Sequence, residues 1–126
     1  MQILRRSMQR ARHLAQRGNE GDIYFSDAYD NGAECLWHIT CPSGDQTVSI
    51  FFELFSTEQN YDYVNVLDGP YDTSYRLEHL SGSMSDISGH QSAVSSGSEM
   101  TVQFTSDSSV TGAGFDASYS CGGGGH

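Results

Sequence analysis

"CLWHITCPSGDQTVSIFFELF", residues 35 to 55, decides the fold. Its first seven residues alternate. Cys35, Trp37, Ile39 and Cys41 share one face, and Leu36, His38 and Thr40 the other, which is the period of two that a β-strand imposes. "PSGD" then breaks the pattern as a turn. "TVSIFFELF" resumes it, with Val48, Ile50, Phe52 and Leu54 on one side. Each run has one apolar face to bury, which a single sheet cannot do alone.

The same grammar recurs downstream. "YVNVLDG" is a third strand, closed by Asp68-Gly69-Pro70. "EMTVQFTSD" turns Met100, Val102 and Phe104 inward and Thr101, Gln103 and Thr105 outward. "GFDASYSC" does likewise with Phe115, Ala117, Tyr119 and Cys121. Trp37 and the phenylalanines are expected in the core. Short strands separated by Gly, Ser and Asp turns predict an all-β protein, an antiparallel two-sheet β-sandwich. The chain has 126 residues, 14 of them glycine and only 2 proline, enough for one small domain with many turns. Its hydrophobic content of 37% is modest, so a disulfide or metal staple would help.

Charge is divided sharply along the chain. Five of the six basic residues, Arg5, Arg6, Arg10, Arg12 and Arg17, precede Gly18. All 16 acids follow it, and Arg76 is the only basic residue among them. Such a body does not suit nucleic acid, whereas cations and basic protein patches suit it well. No stretch is apolar for long enough to span a membrane. Residues 1–18 form a basic leader without the apolar h-region of a secretory signal. With Leu4, Met8, Ala11 and Ala15 on roughly one face, the leader is expected to be helical or disordered and not part of the fold. Its composition also matches a mitochondrial-type presequence.

Three cysteines constrain the fold further. Cys35 and Cys41 are six residues apart on one expected strand, roughly 20 Å at strand rise, whereas a disulfide needs about 4.4–6.8 Å between Cα atoms. They cannot pair with each other. A Cys41–Cys121 bond would tie the two ends of the domain together for about 3–5 kcal/mol and leave Cys35 over. The alternative is three buried thiols in a reducing compartment.

"ECLWHITCPSGDQTVSIFFELFSTEQNYDYVNVLDG", "LSG", "SSGSEMTVQFTSD" and "GAGFDASYSC" together resemble a CUB domain, an extracellular β-sandwich module. Each word is short, but their order and spacing are specific, and the match runs from about Gly21 to Cys121. The resemblance implies a jelly-roll-like CUB domain over residues 19–121, followed by a Gly-rich tail at 122–126. It also implies an extracellular or cell-surface location within a larger protein. Two departures stand out. The family's first cysteine would fall in the leader, which has none, so the N-terminus reads as truncated or replaced and Cys35 as an orphan. The family's second disulfide is missing as well, with Gln59-Asn60 and Ser81 about where its cysteines would be. A Cys41–Cys121 bond would be an alternative staple, as in variant CUB sequences with a "C-P-x-G" strand end.

Many CUB domains bind Ca²⁺ at one end of the sandwich. By resemblance the ligands here are Glu58, Asp62, Asp107, Ser109 and the backbone carbonyl of Val110, with the Tyr29 hydroxyl steadying a carboxylate. Ca²⁺ takes six to eight oxygens from carboxylates, carbonyls and water. Three carboxylates converging without a cation would repel one another. The Glu58–Asp62 segment is shorter than the usual calcium-binding pattern, and the bland alternative is solvated loop charge. An EF-hand is excluded, because Val64 and Val66 occupy ligand positions before Gly69. Asp68 reads as turn chemistry. The histidines show no metal spacing, nothing resembling G-x-S-x-G singles out a nucleophile, and no enzyme is expected. The expected function is therefore Ca²⁺-dependent binding of a protein partner with an exposed Lys or Arg. The alternatives are a structural spacer or a carbohydrate-binding module, the latter resting on Tyr71 and Tyr75.

Overall fold

The computed structural model describes residues 11–25, 34–57, 62–71, 74–105 and 114–122. They form nine strands: β1 (Ala11–Arg17), β2 (Glu20–Phe25), β3 (Glu34–Thr40), β4 (Thr47–Ser56), β5 (Tyr63–Asp68), β6 (Tyr75–Leu80), β7 (Ser92–Val94), β8 (Glu99–Thr105) and β9 (Gly114–Gly122). Two sheets pack face to face, one ordered β1-β3-β8-β5-β6 and the other β2-β9-β4-β7. Every pairing is antiparallel except β1 with β3, which is parallel. The expected β-sandwich is the observed one.

The core follows the period-two reading closely. Cys35, Trp37, Ile39 and Cys41 are buried, as are Val48, Ile50, Phe52, Met100, Val102, Phe104, Phe115, Ala117 and Tyr119. Phe115 is the hub of an aromatic cluster. Trp37 meets it edge-on at 5.2 Å, with Phe52, Phe104 and Phe55 at 5.7, 6.1 and 6.5 Å between ring centroids. Such rings bury 150–250 Å² each and add about 0.5–1.5 kcal/mol per pair beyond their area.

Three expectations need correction. Leu54 is 63% exposed, because the β4–β9 register shifts between Phe52 and Leu54. This bulge lets Phe55 take the inward place and turns Leu54 to solvent. Phe51, on the outward face, is likewise exposed and not core. The leader is the third case. Residues 1–10 lie outside the described ones, but Ala11–Arg17 are strand and not helix, in register from Ala11↔Glu34 to Arg17↔Thr40. The reason lies in β3, which is buried on both faces (Cys35, Leu36, Trp37, Ile39) and so must satisfy its backbone groups on both edges. β8 covers one edge and β1 the other, which overrides the weak helical preference of the leader.

The Cys41–Cys121 disulfide is present, with its Cα atoms 5.8 Å apart. It joins the exit of β3 in one sheet to the end of β9 in the other. Cys35 is outside the disulfide and buried beside the core aromatics. Around the bridge the Cys41 N–H donates to the Ser98 carbonyl (2.9 Å) and the Cys121 N–H to that of Asn19 (2.6 Å).

Candidate functional site

The register of the strands defines one end of the sandwich. Glu34 at the start of β3 pairs with Thr105 at the end of β8, and Thr105 with Tyr63 at the start of β5. In the other sheet, Phe25 at the end of β2 pairs with Phe115, and Ser56 at the end of β4 with Gly114. A bridge from Ser56 to Ser83 ties β4 to the segment after β6 at this same end. Phe25, Glu34, Ser56, Tyr63, Thr105 and Gly114 therefore all lie at one end. Tyr29, Glu58, Asp107, Ser109 and Val110 lie outside the described residues.

Asp62 is described, and it is fully buried. A carboxylate removed from water needs compensation by hydrogen bonds, an opposite charge or a metal. Its backbone is held by Thr57, a residue the sequence reading passed over. The Thr57 hydroxyl donates to the Asp62 carbonyl (3.2 Å) and accepts the Gly82 N–H (2.9 Å), while the Thr57 N–H donates to the Gly82 carbonyl (2.8 Å). One buried side chain thus ties the end of β4, the start of β5 and the segment after β6. Gly82 has a φ of +100°, and a Cβ there would run into Asp86, so the tie needs glycine. The available signal was a threonine closing a strand five residues before an acid. Among the described residues no three His, Cys, Asp or Glu side chains are grouped to hold a metal.

The opposite end carries the other candidates. Asp68 accepts the Ser96 N–H at 2.8 Å from 28 positions away, and the Thr101 hydroxyl donates to the Gly69 carbonyl at 2.8 Å, so Asp68 has a structural role but links distant segments and not its own turn. That second bond also explains why Thr101, on the outer face, is nevertheless buried. Tyr71 and Tyr75 are 67% and 76% exposed near the same turn.

Among the described residues, His38, His79 and His90 pair with polar side chains of neighbouring segments. His38 Nε2 lies 2.6 Å from Glu99 Oε1, and His90 Nδ1 lies 3.1 Å from Glu78 Oε1. Asn65 donates through Nδ2 to Gln103 Oε1 (3.0 Å), and its Oδ1 lies 2.5 Å from His79 Nδ1, which also has an Arg76 guanidinium nitrogen at 3.3 Å. The ring of His79 stacks on Tyr63 at 4.2 Å. Burial, and secondarily the Arg76 guanidinium, hold the His79 pKa below its ordinary value.

The CUB domain family model matches residues 14–119, beginning within β1. Cubilin of Rattus norvegicus is 40% identical over 75% of this chain, which corresponds to 3% of cubilin. Human procollagen C-endopeptidase enhancer 1 is 43% identical over 72% of the chain and 20% of its own length. The chain thus spans only a small part of these relatives. Among solved structures, the CUB1-EGF-CUB2 domains of rat MASP-1 superpose with a TM-score of 0.73 at 28% identity, over 86% of this chain and 42% of that one. The MASP-1 CUB2 domain bound to Ca²⁺ shares the fold, with a TM-score of 0.67 at 22% identity, over 86% of this chain and 96% of that one. The chain belongs to the CUB domain family, a noncatalytic extracellular protein-interaction module.

Proposed function

We propose that this domain binds a protein partner in a Ca²⁺-dependent way, through carboxylates at the end of the sandwich bounded by Phe25, Glu34, Thr57, Asp62, Thr105 and Gly114. Glu58, Asp62 and Asp107 would hold the ion, with Ser109 and the Val110 carbonyl completing the oxygen set and Tyr29 orienting a carboxylate. An all-oxygen donor set of this charge fits Ca²⁺ and does not fit a soft metal. Glu58 and Asp107 keep oxygens for a Lys or Arg of the partner. The single observation that supports the reading is the buried Asp62 at the sandwich end where β4 and β8 stop and β5 and β9 begin. CUB domains can bind calcium, and a solved domain of the same fold carries it. The module would act as one part of a larger secreted or cell-surface protein. Among the described residues no helix is long and apolar enough to cross a membrane.

Thermal melts in millimolar Ca²⁺ and in EGTA test this reading. A ligand bound only by the folded state at about 100 times its Kd adds roughly 2.7 kcal/mol, and Asp107→Ala should abolish the shift. Coincident curves for the unaltered protein would reject the calcium site.

A second reading is favoured by the exposure of Tyr71 and Tyr75 at the opposite end, which suits stacking against a sugar ring. A glycan array with Tyr75→Ala as control decides it, and binding lost in that variant would support a carbohydrate module.

A further inference from the structure

The outward face of the β2-β9-β4-β7 sheet combines two features that a solvated face lacks. Three of the five large hydrophobic side chains exposed among the described residues lie on it: Phe51, Leu54 and Val94, 46%, 63% and 57% accessible. Phe51 on β4 stands between Ser118 on β9 and Ser92 on β7, so no large neighbour shields its ring across the sheet. Val94 is paired with Ser49, one step along the same face, and Leu54 is turned out beside Asp116 by the β4 bulge. The bulge thus adds an apolar contact to the surface that strict alternation would have hidden.

Every charged side chain described on this face is acidic. Glu53 accepts a long hydrogen bond from the Ser118 hydroxyl (3.4 Å), Asp116 lies on β9, and Glu20 and Asp22 flank it on β2. An aromatic anchor set among small polar residues and rimmed by charge is how protein interfaces concentrate binding energy. A second copy of this chain would bring these acids against themselves, which like-charge repulsion disfavours. The complementary surface is basic.

We infer that this face docks a protein surface that presents Lys or Arg around an aliphatic side chain, and that it does so without Ca²⁺. Leu54 and Asp116 are the part of this face nearest the sandwich end that contains Asp62, Val94 and Glu20 lie away from it, and use of the face does not depend on the calcium reading.

The test is an NMR titration of the labelled protein in EGTA, using a seven-residue peptide of alternating lysine and leucine. A lysine–serine peptide of equal charge is the control. The expected result is amide shifts confined to residues 49–54, 92–94 and 116–120, with the leucine peptide binding at least about fivefold tighter. Phe51→Ser should weaken it about tenfold, and Val94→Ser should weaken it less. Both variants should keep their melting temperature, because the side chains they replace are exposed. The inference is overturned if both peptides bind alike with shifts spread over all acids. It is equally overturned if Phe51→Ser leaves affinity unchanged, or if the shifts follow protein concentration and report self-association.

Discussion

The two ends of this sandwich are closed by different chemistry. At one end the Cys41–Cys121 bond crosses between the sheets, supported by backbone bonds to Ser98 and Asn19 and by the Asp68–Ser96 contact. At the other, the closing interactions described are hydrogen bonds centred on the Thr57 hydroxyl, beneath which lies the Phe115 aromatic cluster. A covalent staple fixes one end whatever is bound. The other end relies on polar contacts around a buried carboxylate, an arrangement that a cation can strengthen.

Breaking the staple gives the largest expected effect. The bond closes a separation of 80 residues, so a Cys41→Ser/Cys121→Ser double variant should lose about 4 kcal/mol. Urea denaturation checks this, and a reducing agent should reproduce it in the unaltered protein. An unchanged urea midpoint would mean that the two ends are not held differently.

Thr57→Val probes the other end. It keeps the shape of the side chain but leaves the Gly82 N–H and the Asp62 carbonyl short of a partner, at a cost of about 1–3 kcal/mol. The same variant should weaken any Ca²⁺ response, whereas the cysteine variant should retain it once folded. Equal losses of Ca²⁺ response in both would erase the distinction.

The smallest effect is a pH dependence located away from both ends. His79 binds protons less readily folded than unfolded, so the unfolded chain takes up the extra proton as pH falls below the ordinary value of 6.5. Stability is therefore full above that value and declines below it, until His79 itself is protonated in the folded protein. Asp86, its carboxylate held by the Ser83 N–H and hydroxyl, has a pKa below its ordinary 3.8 and adds a second decline at lower pH. Melts between pH 7.5 and 5 should show the first slope, and His79→Gln should flatten it.

Much of this architecture is legible in the sequence. The strands β3, β4, β8 and β9 announce themselves because each has one face of large apolar residues, and the spacing of Cys35 and Cys41 already forbids their pairing. Other strands carry little such signal. β2 contributes Ile23 to the core, β6 ("YRLEHL") places charge on both faces, and β7 has only three residues. These strands are specified by neighbours offering hydrogen bonds, which no local pattern records. Leu54 misled for a related reason, since alternation assumes an unbroken register and the bulge breaks it. At the candidate site Asp62 stood out as a carboxylate among strand residues. The supporting role of Thr57 depends on Gly82, 25 positions away, and emerges only when the sheets are packed.

The most direct test of the central claim is a comparison of amide chemical shifts in EGTA and in millimolar Ca²⁺. The account predicts changes concentrated at Thr57, Asp62, Tyr63, Thr105 and Gly114, with Cys41, Asp68 and Cys121 silent. No change at millimolar Ca²⁺, or changes gathered at the disulfide end, would contradict it.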